Sequence, residues 1–325
     1  MREIRRILVP VRHYEARALP VLAKAAQLAR AFGAQIELFH DIATPVLNEA
    51  LGTPGYTLGS IKRAARDAAL AGLERLAAPW RQRGVAVETC TVWDYPPAEA
   101  IVRRALATAT DLIVVARHER HRLPALLGLT DWELLRQSPV PVLLVKREEP
   151  YRRPRVLAAL DPEHAFAKTS GLDQRILEAA AALSGALRGS LAALHAYQPL
   201  PLPPPPGVLL DNRIPERMRK AAERVARSSF EHALEGTAVR GTRRHVVEGS
   251  PAVVIPSTAR KLRSAIVVMG AVSRSGLKRL FIGNTAEKVM DALSCDLLVV
   301  KPPHFASRVP RARRGVLFAT LAPVS

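Results

Sequence analysis

"FIGNTAEKVMDALSCDLLVVK" (Phe281–Lys301) and "LLGLTDWELLRQSPVPVLLVK" (Leu126–Lys146) are one unit written twice. Gly283 falls opposite Gly128, Thr285 opposite Thr130, Val300 opposite Val145 and Lys301 opposite Lys146, at a constant offset of 155 residues. Self-similarity at a long fixed spacing marks a duplicated structural unit and decides the architecture before any single motif does.

The match continues upstream with small shifts. "HVVEGSPAVVI" (His245–Ile255) parallels "TVWDYPPAEAI" (Thr91–Ile101), and "SAIVVMG" (Ser264–Gly270) parallels "DLIVVAR" (Asp111–Arg117). "RVLAALD" (Arg155–Asp161) parallels "RILVPVR" (Arg6–Arg12), and both second apolar runs end on histidine, His40 and His195. Within each copy, short apolar runs alternate with longer amphipathic ones. The first copy predicts strands near 6–11, 35–40, 86–92, 111–116 and 141–145, with helices near 16–32, 60–82, 97–108 and 130–137. The second predicts strands near 155–160, 190–196, 243–247, 265–269 and 296–300, with helices near 170–186, 215–235, 251–262 and 284–293. Such alternation implies α/β units with Rossmann-like parallel sheets and right-handed crossovers. The domains are expected at residues 1–148 and 153–302, followed by a basic tail at 303–325.

Composition fits that reading. Of 325 residues 48% are hydrophobic, 24% charged and only 5% aromatic, which suits sheets covered by Ala- and Leu-rich helices. No apolar run reaches the ~20 residues of a membrane span, and the charged start MREIRRILVPVRHYEAR does not read as a signal peptide. Two distant cysteines, Cys90 and Cys295, give neither a disulfide framework nor a zinc spacing, so a reducing cytoplasm is expected. The formal net charge of +19 is spread over helices except in RVPRARR (Arg308–Arg314). A distribution of that kind argues against a nucleic-acid partner. The tail is expected to be poorly ordered, because it lacks both period and apolar content.

Ligands of open α/β sheets sit outside the carboxyl ends of the strands. There the second copy offers Asp161 after its first strand, and "MGAVSRSGLKRLFIGNT" (Met269–Thr285) after its fourth. Asp161 can hold a ribose hydroxyl or an adenine amino group, or it can cap a turn in the DPEH stretch. Gly270, Ser273, Ser275 and Gly283 let backbone N–H groups approach phosphate, with Arg274 adding charge. A helix starting at Asn284 and Thr285 adds its positive end. The competing reading makes Asn284 and Glu287 a capping box and the loop an ordinary connection. His118, Glu119 and His121 fall short of a convergent metal set, and no nucleophile–base pair, nucleophile elbow or P-loop lysine is present.

These residues resemble the universal stress protein family, whose loop after the fourth strand reads Gly, two residues, Gly, nine residues, Gly, then Ser or Thr. Gly270 and Gly283 match; Ser273 replaces the second glycine and Asn284 the hydroxyl residue. The resemblance covers both copies to Pro302. It implies two tandem five-stranded parallel-sheet sandwiches of the adenine-nucleotide-binding hydrolase type. It also implies a pseudo-two-fold relation in which the fifth strands of the two copies pair, and a possible homodimer. For function it implies a stress-response sensor that binds ATP or AMP in the second copy and is not an enzyme, with weak ATP hydrolysis left open. There the phosphates would lie against Ser273–Ser275 and Gly283–Thr285. In the first copy Arg12 and Arg117 stand where the acid and the first glycine belong, so that site is expected to be degenerate. Two other readings stay open: a scaffold with no nucleotide, and a carrier of an apolar or lipid-like ligand under the long loops Thr44–Ser60 and Gln198–Pro215.

Overall fold

The computed structural model describes residues 3–15, 19–47, 57–117, 130–163, 171–199, 215–237, 239–271 and 284–319. It divides into two compact units: Arg2–Tyr151 joined by the C-terminal segment from Phe305, and Arg152–His304.

The first unit follows the order β1 (Arg6–Pro10), α1 (Pro20–Phe32), β2 (Gln35–Ile42), the short β3 (Val46–Leu47), α2 (Leu58–Gln82), β4 (Val87–Trp93), α3 (Pro97–Ala107), β5 (Leu112–Ala116), α4 (Thr130–Gln137) and β6 (Val142–Val145). Its parallel sheet has the order β4-β2-β1-β5-β6, so the chain reverses direction across the sheet between β1 and β5. The second unit repeats this with β7 (Arg155–Leu160), α5 (Leu172–Ala186), β8 (Ser190–Tyr197), α6 (Glu216–Ala233), β9 (Arg244–Glu248), α7 (Pro251–Lys261), β10 (Ile266–Gly270), α8 (Asn284–Ala292) and β11 (Asp296–Val300). Its order is β9-β8-β7-β10-β11, all parallel.

Local chemistry explains the element ends. The central strands are continuous apolar runs because helices cover both faces: Ile7, Leu8, Val9 and their counterparts Val156, Leu157 and Ala158 are fully buried. Helix α1 begins at Pro20, later than the sequence pattern suggests, since proline's fixed φ and missing N–H suit the first helical position. It stops at Gly33, whose φ of 67° only glycine adopts cheaply. Helix α2 opens with a reciprocal cap, Thr57 Oγ1 accepting from the Ser60 N–H at 3.1 Å and Ser60 Oγ accepting from the Thr57 N–H at 2.9 Å.

One expectation is corrected. The C-terminal segment is ordered against the first unit through residue 319. Its strand β12 (Phe318–Ala319) pairs parallel with β3, and Val46 donates its N–H to the Leu317 carbonyl at 2.8 Å. The basic run is held by acids that β4 and α3 present. Arg314 donates its side chain to Glu99 at 3.2 Å and its guanidinium lies 5.9 Å from the Tyr95 ring. Charge alone suggested a solvated tail; buried carboxylates far away in sequence make it a docked one.

Candidate functional site

The carboxyl ends of β7 and β10 lie side by side, with Ala159 in register with Met269. This places Asp161 beside Gly270 and Ala271, at the point where the strand order of the second unit reverses. Asp161 is exposed, and its backbone N–H donates to Asp173 Oδ1 on α5 at 3.1 Å. Among the described residues the Asp161 carboxylate makes no hydrogen bond or ion pair, while α5 fixes its backbone.

Gly270 has a packing reason to be glycine. A Cβ at this position would meet Leu172 Cδ2 at 2.6 Å, because Leu172, the first residue of α5, folds over the strand end. Asn284 opens α8, with Thr285 in its first turn. Ser273, Arg274, Ser275 and Gly283 lie outside the described residues, as do His118, Glu119 and His121.

Two histidines brace the site floors. His40 Nδ1 is 2.7 Å from the Val11 carbonyl oxygen, and His195 Nδ1 is 3.2 Å from that of Leu160. A carbonyl oxygen only accepts, so Nδ1 carries the proton in both. Burial lowers the pKa of His40, which keeps its ring neutral near pH 7. His195 is buried between Tyr197 and Phe230, its Nε2 without a hydrogen-bond partner among the described residues and 3.8 Å from Glu163 Oε1. Lys301, just beyond β11, is also buried, and desolvation draws its ammonium down to about 8. Among the described residues, no three His, Cys, Asp or Glu side chains converge as metal ligands.

The first unit presents a different surface at the same strand ends. Arg12 follows β1, and a cavity of about 540 Å³ opens between it, Tyr14, His40, Val46, Ala65 and Trp93. One open reading of the sequence places an apolar ligand under the Thr44–Ser60 loop, whose first residues line this cavity; the other walls come from separate stretches of chain that no motif joins. A broader depression of about 1090 Å³ lies at the amino ends of the same strands, around Arg5, Arg6, Gln35 and Asp111. Asp111 there accepts the N–H groups of Arg5 at 2.9 Å and Arg6 at 3.0 Å, which ties down the chain entry. Its shallowness and its position opposite the strand carboxyl ends set it apart from a ligand site. No helix among the described residues is long and apolar enough to cross a membrane.

Comparison with known proteins agrees with this geometry. A model described as the universal stress protein family matches residues 3–146 and 154–301, one match for each copy. Universal stress protein E of Salmonella typhi is 32% identical over 235 residues, covering 70% of this chain and 72% of that protein. Universal stress protein E of Photorhabdus laumondii is 26% identical over 310 residues, covering 90% and 94%. Among solved structures, a functionally unknown protein of Pseudomonas aeruginosa superposes with a TM-score of 0.67 at 25% identity, covering 92% of this chain and 93% of that one. A universal stress protein from Archaeoglobus fulgidus shares the fold at a TM-score of 0.61 and 19% identity, covering 92% and 97%.

Proposed function

The chain belongs to the universal stress protein family, and on that premise we propose that its second unit is a stress-response sensor that binds an adenine nucleotide, ATP or AMP. The observation that carries this reading is Asp161. Its carboxylate is exposed and, among the described residues, unpaired at the reversal of strand order, beside the strand that leads into the Gly270–Gly283 stretch. An unpartnered carboxylate at that point accepts from ribose hydroxyls or from the adenine amino group. In this reading the backbone N–H groups of Ser273–Ser275 and Gly283–Thr285 hold the phosphates, with Arg274 offsetting their charge and the start of α8 aimed at them.

The reading is one of binding rather than catalysis. The described groups at these strand ends supply an acid, a braced histidine and a buried lysine, without a nucleophile in hydrogen-bond reach of a base.

Native mass spectrometry of freshly purified protein, with AMP or ATP added at micromolar to millimolar concentration, tests it. The expected result is one nucleotide per chain in the wild type and loss of that species in Asp161→Ala. A wild type that stays free of nucleotide throughout overturns it.

A further inference from the structure

The first unit has lost the acid that its repeat partner keeps, yet it holds a formed cavity. We propose that this cavity binds a small planar aromatic compound carrying one acidic group, independently of any nucleotide in the second unit.

Its shape comes from packing. The Tyr14 and His40 rings meet edge to face at 4.8 Å and 80°. Tyr14 can sit there because α2 carries glycine at position 72; a Cβ would meet Tyr14 Cδ2 at 2.6 Å and the Tyr14 carbonyl oxygen at 2.7 Å. Trp93 ends β4 in register with Ile42 of β2, so a third ring lines the same space. Val46 forms another wall and is held by the C-terminal strand through its bond to Leu317. Three aromatic faces around about 540 Å³ suit a ring ligand, since stacked and edge-to-face contacts add to simple area burial.

The charge selects an anion. Arg12 is half-buried at the mouth and makes no side-chain hydrogen bond or ion pair among the described residues. Asp41, which interacts electrostatically with Arg12, is pushed by burial up to about 7, so that carboxyl offsets the Arg12 charge only in part near neutral pH. Burial, and after it Glu15, which lines the same cavity, raise the pKa of the Tyr14 hydroxyl. A guanidinium with no hydrogen-bonded partner among the described residues, beside three rings, is a seat for a carboxylate or sulfonate on an aromatic body. His40 adds selectivity: with Nδ1–H given to Val11, its Nε2 lone pair accepts from a ring hydroxyl or amine.

Two fluorescent probes of nearly equal size test this on the full chain: anilinonaphthalene sulfonate, which is anionic, and phenylnaphthylamine, which is neutral. Both should bind the wild type, the sulfonate more tightly. Arg12→Ala should weaken the sulfonate roughly tenfold and leave the neutral amine within about twofold. Ala65→Phe, which fills the cavity from α2, should abolish both. If circular dichroism shows that Ala65→Phe is unfolded, Trp93→Ala must weaken both probes. Failure of both probes to bind, an Arg12→Ala loss equal for the two, or binding unchanged in the filled or tryptophan-less variant each overturns the proposal. Because the probes report on the first unit, their failure leaves nucleotide binding by the second untouched.

Discussion

Arg314 donates its backbone N–H to Asp94 Oδ1 at 2.9 Å, across 220 residues of sequence. Asp94 is nearly fully buried and also accepts the Tyr95 N–H at 2.9 Å and Arg103, which reaches it through Nε at 2.7 Å and Nη2 at 2.9 Å. Arg103 also donates to the Pro310 carbonyl at 3.4 Å. The C-terminal segment therefore completes a polar cluster at the β4–α3 junction.

Removing residues 305–325 should destabilise the first unit. It takes one donor from Asp94, which keeps Tyr95 and Arg103, one acceptor from Arg103, which keeps Asp94 and Glu99, and the Arg314–Glu99 pair, at ~0.5–1.5 kcal/mol per bond. A fall in Tm of roughly 5 °C by differential scanning calorimetry is expected; an unchanged Tm would show that the segment only lies on the surface.

Asp94→Ala should cost more than the truncation. It strands the Arg103 guanidinium, of whose side chain only 5% is exposed, with Glu99 at 3.0 Å as its remaining acid. Breaking a buried pair from one side costs on the order of 3–5 kcal/mol. Urea unfolding of this variant should show a midpoint well below that of Glu99→Ala, in which Arg103 keeps its two-pronged bond to Asp94.

What was legible in the sequence was what repeats or what is local. The constant offset between Gly128 and Gly283 revealed the duplication, and short apolar runs such as IVVMG marked central strands because both faces of each are covered. What escaped was long-range. The RVPRARR run carries no trace of the distant acids that dock it, and β12 is two residues long, too short for any alternation. Gly270 read as a ligand-approach position, while Leu172 supplies a packing reason that sequence spacing cannot express. The matching His40 and His195 were visible as a pair, but their shared role of bracing the exit of the first strand shows only in the hydrogen bonds.

Gly270→Ala separates packing from ligand approach. The new Cβ falls 2.6 Å from Leu172 Cδ2 and 2.9 Å from its Cγ, so a loss of ~1–3 kcal/mol is expected from overpacking. In the Leu172→Ala background most of that loss should disappear, and the double-mutant cycle should show coupling of about 1 kcal/mol or more. Additive effects would mean that the two residues do not share the space.

Lys301 makes stability depend on pH in a defined window. Its pKa is about 8 in the folded chain because of desolvation, against 10.5 for a free side chain. Between these values the unfolded chain holds the proton and the folded one has released it, so stability should rise with pH from about 8 to 10.5. Below about 8 both states are charged and the burial cost is constant, on the order of 3 kcal/mol. Lys301→Met should lose this rise. Parallel stability profiles for the two proteins would contradict the burial assigned to Lys301.

Titration calorimetry of ATP and AMP into the full chain tests nucleotide binding by the second unit most directly. Asp161→Ala should weaken the wild-type affinity roughly ten- to a hundredfold, the loss of one hydrogen bond to a charged group. Ser273→Gly with Asn284→Ser should tighten it, by clearing bulk from the loop and restoring a hydroxyl at the start of α8. Absence of binding at millimolar nucleotide in both the wild type and the Ser273→Gly/Asn284→Ser variant would contradict the account and leave the Gly270–Gly283 stretch a connection between β10 and α8.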